Sequence, residues 1–187
     1  MLIDITLPIT PQMLGVAWEN TAKSLVGHLG THFDVMDKDF PLSYTTRQAV
    51  VFDVSFVKDR DICTSDIDLD WVQKDMFVAF YTGFIEKIPY GTPAYFKEHP
   101  QLSTDLIEAL LRKNISIIGI DCAGIRRGSE HVPTDQHCAD QGVFVIENLY
   151  DLKSVISVSK RFLAQTFPMR ISGITGLPCR VLAQIGE

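Results

Sequence analysis

Two imidazoles and a carboxylate fall within seven residues of this chain, at His28, His32 and Asp34. Imidazole nitrogen with carboxylate oxygen suits a divalent ion of borderline hardness, zinc first and manganese as the carboxylate share rises. In an extended chain the side chains at i, i+4 and i+6 share one face, so the three can aim at one point. On a helix His28 and His32 would still meet while Asp34 pointed away. An extended or looped backbone is therefore the better frame. Gly30, between the histidines, has no Cβ and allows a tight turn or a close approach to an ion. The competing reading is a polar loop whose neutral imidazoles make ordinary structural hydrogen bonds.

The stretch Gly27-His28-Leu29-Gly30-Thr31-His32-Phe33-Asp34 resembles the HxGTHxDxPxH signature of the cyclase-like metal-dependent hydrolases. That family includes bacterial kynurenine formamidase (arylformamidase) and isatin hydrolase. The first five fixed positions match. Met36 stands where the signature has proline, and Lys38 where it has its final histidine. A second likeness lies at 142–149, where GVFVIENL resembles the family's glycine, short strand and ENL run, whose glutamate binds metal. The resemblance thus implies Glu147 as a distal ligand. The physics agrees, because a carboxylate directly after a buried strand is costly unless paired, hydrogen-bonded or on a metal. The family also carries a metal-site histidine upstream of that glutamate. The matching position, twelve residues before Glu147, is Asp135. His137, two residues later, is the other candidate, and His131 is a third.

The resemblance implies one or two bound ions, zinc or manganese, with Asp34 bridging where there are two. It implies hydrolysis of a small amide, formamide or lactam, with N-formylkynurenine of tryptophan catabolism as the substrate. A bound divalent cation brings a water pKa from about 16 toward 7 and polarises a carbonyl. In relatives the final motif histidine shuttles protons. Lys38 has an unperturbed pKa near about 10.4, so it serves as a base only where burial beside the metal lowers that value. Asp37 next door pairs with it or takes the proton role. Asp135 in place of a histidine moves the ligand set toward oxygen, and so toward manganese or magnesium. A different expectation follows from the same two departures: a relative that kept the metal cage, lost the shuttle, and binds metal and a small ligand without turnover.

These groups need strands to hold them. Leu2 to Leu7 alternates apolar and polar residues, and Ala49 to Ser55 and Met76 to Thr82 are short, apolar and β-branched or aromatic, so all three read as strands. Ser103 N-caps a helix through Lys113, with Asp105 in its first turn and Asn114 as a left-handed stop. Ile115 to Ile120 follows as a strand buried on both faces, the mark of an α/β unit with a partly parallel sheet. Asp121 at its end is a weak site candidate and a better turn cap. Shorter helices are expected over Ser65–Trp71, Thr134–Asp140 and after Asp151. Strands are expected at 143–146, 162–171 and 179–185, with Gly173, Gly176 and Pro178 marking a turn. The segment 88–100 reads as an ordered loop. Trp18, on an irregular connection over 11–24, either walls a substrate pocket or lies over the core.

The totals fit this. The 187 residues suit one domain, 1–187, of α/β class, and the resemblance specifies a swivelling β/α/β architecture: a mixed sheet with flanking helices. Hydrophobic residues make up 46% and charged residues 21%, with net charge -6 and no basic stripe, which disfavours nucleic acid and an electrostatic membrane anchor. The partners expected are a small-molecule substrate and further copies of the chain, as a homodimer or homotetramer. Cys63, Cys122, Cys138 and Cys179 form no CxxC pair and read as reduced thiols. An acid at position 4 and the lack of any run of about 18 apolar residues lead to a cytoplasmic expectation.

Overall fold

The computed structural model describes residues 1–11, 13 and 27–186. Trp18 and most of the connection around it lie outside the described residues. The strands are β1 (Leu2–Asp4), β2 (His32–Asp34), β3 (Thr46–Asp53), β4 (Phe77–Tyr81), β5 (Ile117–Ile120), β6 (Phe144–Glu147), β7 (Arg161–Pro168) and β8 (Gly176–Gln184). Among the described residues, the α-helices that can be followed from end to end are α1 (Pro93–Lys97), α2 (Thr104–Arg112), α3 (His131–Asp140) and α4 (Leu152–Val158).

All eight strands join one mixed sheet in the order β1-β8-β2-β6-β5-β4-β3-β7, and β7 also pairs with β8. That last pairing closes β8-β2-β6-β5-β4-β3-β7 into a barrel, with β1 added alongside β8. The β3–β4–β5–β6 run is parallel; the other pairings are antiparallel. This is the mixed-sheet α/β architecture the sequence led us to expect, with closure as the feature it did not announce.

Strand alternation divides the core in two. Ala49, Val51, Phe77, Ala79, Ile117 and Ile146 meet Phe33, Phe162, Ala164 and Val181 inside the barrel. Val50, Phe52, Val78, Phe80, Ile118 and Val145 face outward, under Leu106, Ile107 and Leu110 of α2. Ser103 caps α2 by accepting from the Leu106 N–H at 3.2 Å, and Asn114 takes a φ of +53 just past its end, both as expected.

Several boundaries differ from the sequence reading. The stretch 65–71 is two 3₁₀ turns, Thr64–Asp66 and Leu69–Trp71. There the Asp66 and Asp68 carboxylates accept from the Cys63 and Asp70 N–H groups and so compete with a helical ladder. The loop at 88–100 contains α1, capped by Thr92 with Pro93 opening the helix. α3 begins at His131 and not at Thr134, because Pro133 is tolerated in a first turn, where its missing N–H has no intrahelical partner to lose. Gly176 and Pro178 are not in a turn but in β8, paired with Asp34 and His32. Cys122, Cys138 and Cys179 are buried, Cys63 is partly so, and all four are free thiols. Among the described residues no helix is long and apolar enough to cross a membrane.

Candidate metal centre

Register puts the two halves of the motif together. His32 of β2 sits opposite Glu147 of β6, and Phe33 opposite Ile146. Directly paired residues point to the same face, so Phe33 and Ile146 fill the barrel while His32, Asp34 and Glu147 share its outer face. His28 comes from the loop before β2. Gly30 turns that loop at a φ of +62, in the left-handed region that favours glycine. Of the extended or looped backbone expected, the chain adopts both: a turned loop carries His28 and a short strand carries His32 and Asp34.

The distances define a tight cluster. His28 Nδ1 lies 3.0 Å from Asp34 Oδ1, and His32 Nε2 lies 3.5 Å from both Asp34 Oδ1 and Glu147 Oε2. From α3, His131 Nε2 stands 3.0 Å from Asp135 Oδ2 and 3.1 Å from Glu147 Oε1. Two overlapping groups emerge, His28–His32–Asp34 and Asp34–His131–Asp135–Glu147, each with donor atoms within 4.8 Å of one another. Asp34 belongs to both. A Cβ at Gly124, whose φ is +119, would stand 3.0 Å from His131 Cε1 and 3.2 Å from Glu147 Oε1, so glycine is what lets the backbone pass this close.

Each motif histidine is held by its far nitrogen. His32 Nδ1 donates to the Gly30 carbonyl at 2.9 Å, which leaves the Nε2 lone pair facing the cluster. His28 Nε2 meets Thr175 Oγ1 at 2.9 Å, leaving Nδ1 inward. Nδ1 of His28 and Nε2 of His32 then face each other at 3.1 Å. Two lone pairs at that distance repel unless a proton or a cation lies between or beside them. Asp34 Oδ1 and Oδ2, Asp135 Oδ1 and Glu147 Oε1 are buried and accept no well-directed hydrogen bond. Buried carboxylate oxygens normally find a donor, so these orphans fit a divalent ion.

The charges tell the same story. Burial disfavours a charged His32, yet the Asp34 and Glu147 carboxylates outweigh it and hold its pKa up at about 9. His131, likewise buried, is carried to about 11 by Asp135 and Glu147. Asp34, despite burial, is held well below the usual carboxylate range by His32 and His28. Burial, with the nearby Asp34 and Glu147 charges, pushes Asp135 upward against the pull of His131. The protein's cluster is thus an anionic pocket that holds protons where a cation would sit.

A lattice of hydrogen bonds fixes the loop against β6. Asn148, at a φ of +58, donates from Nδ2 to the Gly30 carbonyl at 2.8 Å and accepts from Tyr95 Oη at 2.7 Å. Thr31 Oγ1 donates to the Asn148 carbonyl at 2.7 Å and accepts from the Leu7 N–H at 2.8 Å. The Gly30 N–H donates to Tyr90 Oη at 2.8 Å. A small cavity of about 50 Å³ opens beside the cluster, lined by His28, His32, Tyr90, His131, Glu147 and Asn148 among others.

The remaining sequence candidates fall elsewhere. Lys38 lies at the surface, paired with Asp37 at 3.0 Å and Asp140 at 2.7 Å, and those carboxylates raise its pKa. It is no lowered-pKa base, and Asp37 is likewise exposed, bound to Lys38 and Gln136. The backbone turns one residue earlier. Met36 takes a φ of +55, which a proline, fixed near about −65°, is barred from. The two departures from the signature sit together: the left-handed turn at Met36 leads into the surface Asp37–Lys38 pair. His137 is not in the cluster either; its Nε2 meets Glu108 at 2.9 Å on an exposed face. Because α3 starts at His131, His131 and Asp135 stack one turn apart, while His137 lies about 200° round the helix from Asp135. The sequence reading put Asp135 and His137 ahead of His131 by counting back from Glu147, a count that does not register which residues share a helix face. Asp121 accepts from the Thr82 and Gly83 N–H groups at 2.9 and 2.7 Å, a structural tie between strand ends.

Comparison with known proteins follows the same line. The family model described as putative cyclase matches residues 3–126. A solved structure of a potential metal-dependent hydrolase with cyclase activity is 24% identical, with a TM-score of 0.73, over 98% of this chain and 96% of that one. A predicted metal-dependent hydrolase from Bacillus stearothermophilus is 24% identical, with a TM-score of 0.71, over 98% and 97%. Isatin hydrolase A from Labrenzia aggregata is 20% identical, with a TM-score of 0.70, over 84% and 73%. At these identities the likeness is one of fold. A search of curated proteins finds no match.

Proposed function

This chain belongs to the putative cyclase family, and on that premise we propose that it is a metal-dependent hydrolase of a small formamide, amide or lactam, arylformamidase-like in the C–N bond it cleaves. The observation that carries the reading is the set of buried carboxylate oxygens on Asp34, Asp135 and Glu147 that accept no well-directed hydrogen bond, gathered with three inward imidazoles. His28, His32 and Asp34 would hold one ion; Asp34, His131, Asp135 and Glu147 would hold the other where two bind. The second group is richer in oxygen and favours manganese more than the first does. A divalent cation there supplies hydroxide at neutral pH and polarises a carbonyl. The chain's own residues do the positioning. Gly30 O orients His32, Thr175 orients His28, and Asn148 ties the motif loop to the strand that carries Glu147. N-formylkynurenine, a formamide, and isatin, a lactam, are the substrates to try first.

The test is turnover of those two compounds by protein loaded with zinc or manganese, beside His32→Ala treated identically. We expect metal-dependent hydrolysis of at least one, and background rates for the variant. Equal rates for the two proteins would end this reading. A second reading is favoured by one observation, the outward course of Lys38. It is a binding relative that holds metal and a small ligand without turnover. Stoichiometric metal with tight ligand binding and no product would establish it, and steady turnover would exclude it.

A further inference from the structure

We propose that Tyr90 is the hydrogen-bond donor to the substrate's carbonyl oxygen as negative charge builds there, a proposal that rests on the hydrolase reading. Three observations converge on it. Tyr90 lines the cavity together with His28, His32, His131 and Glu147, and its hydroxyl is tied to Gly30, between the two motif histidines. Its oxygen already accepts the Gly30 N–H at 2.8 Å. That bond uses up a lone pair, polarises the O–H and leaves the proton as the part still to be placed. Among the described residues Tyr90 Oη has no protein acceptor at hydrogen-bond distance. Third, the ring is locked from behind, edge-on to Tyr95 at 5.4 Å and to Phe96 at 6.1 Å between centroids. A donor held by packing and by a main-chain N–H needs no reorganisation when charge appears, which is the condition for a strong effect on rate. Burial also raises the Tyr90 phenol, so it stays neutral and keeps its proton.

The step balances without the hydroxyl giving up that proton. Water oxygen adds to the carbonyl carbon, and the C=O π pair moves onto the oxygen facing Tyr90. The pair then returns as the C–N bond breaks. The nitrogen leaves with the bonding pair and takes up the proton lost by the attacking water. Tyr90 donates throughout and is unchanged at the end. The loop that places the two motif histidines thus also places this donor, because Gly30 touches both His32 and Tyr90.

The experiment compares metal-loaded wild type with Tyr90→Phe, which keeps the ring, and with 3,5-difluorotyrosine at position 90, which keeps the hydroxyl and makes it a stronger donor. Four readouts are taken: metal per chain, melting temperature, kcat and KM on isatin and N-formylkynurenine, and the Kd of acetohydroxamate, a small carbonyl-oxygen probe. We expect unchanged metal, kcat lower by about 100-fold or more in Tyr90→Phe with KM little altered, and acetohydroxamate bound about 10-fold more weakly. The fluorinated protein should retain activity. Equal kcat in wild type and Tyr90→Phe overturns the proposal. So does loss of metal from Tyr90→Phe with full metal in the fluorinated protein, since the hydroxyl then serves only the Gly30 N–H. If wild type turns over neither compound, the hydrolase reading fails by itself, and acetohydroxamate decides the Tyr90 contact: weaker binding by Tyr90→Phe supports it, and equal or absent binding overturns it.

Discussion

At the scale of single residues, the centre is a set of donors that disagree with one another until a cation arrives. His32 and His131 are held protonated by neighbouring carboxylates, at about 9 and about 11. A metal must displace those protons, because imidazole binds through a free lone pair. Loading near pH 7 should therefore release protons, and titration calorimetry in buffers of different ionisation enthalpy should show it. Both shifts are upward, so the sign is fixed: apparent metal affinity falls as the solution is acidified and rises with pH, up to about 9 for the group with His32 and up to about 11 for the group with His131. Heats independent of buffer would mean that the rings are already neutral. The neighbouring positions separate cleanly. His131→Ala should lower metal content, whereas His137→Ala should leave it intact, since His137 meets only Glu108. Lys38→Ala should change metal content and rate by less than about twofold, as for other exposed ion pairs. A large loss in that variant would restore the shuttle role that its surface position denies.

At the scale of elements, the centre depends on three segments meeting at fixed register: the loop entering β2, the end of β6 and the first turns of α3. Tyr95 of α1 locks two of them through Asn148. Tyr95→Phe leaves Asn148 Oδ1 buried without its donor and should cost about 1–3 kcal/mol, with weaker metal binding as its companion effect. Denaturant melts beside metal titration would check both, and unchanged stability would mean that water replaces the phenol. Gly124→Ala acts from the other side. The added methyl would press on His131 and Glu147, at a φ of +119 that alanine disfavours. The methyl would also stand 2.8 Å from the Arg126 carbonyl oxygen, so we expect both metal-free stability, read by denaturant melts, and metal affinity, read by competition with a chelator, to fall.

At the scale of the whole molecule, barrel closure and metal are complementary sources of order. β2 lies between β8 and β6, and β6 between β2 and β5, so the metal-bearing face is built on strands held on both sides. The cost is a buried concentration of carboxylates, Asp34, Asp135 and Glu147, which destabilises the metal-free fold. Removing metal with a chelator should lower the melting temperature, and reloading should restore it. The gain is about 4 kcal/mol when free metal stands 1,000-fold above its Kd. A melting temperature indifferent to metal would show that nothing binds the native state preferentially.

Much of this was legible in the residues themselves, because it is local. The i, i+4, i+6 spacing of His28, His32 and Asp34 requires an extended backbone to converge, and Gly30 supplies the turn. Ser103 and Asn114 mark the ends of α2 through cap geometry that depends only on near neighbours. Glu147 stood out through the resemblance of 142–149 to the family's ENL run, with the cost of a buried acid beside it. The rest was decided in three dimensions. Which of His131, Asp135 and His137 reaches the cluster turns on where α3 begins, and a shift of three residues in a helix start rotates every later side chain by most of a turn. Lys38 lies at the surface beyond a left-handed turn at Met36, which spacing alone does not show. Barrel closure, the Tyr90–Gly30 bond and the Tyr95–Asn148 latch join residues far apart in the chain, and no pattern of spacing records them, because long-range contacts follow from packing the whole sheet at once.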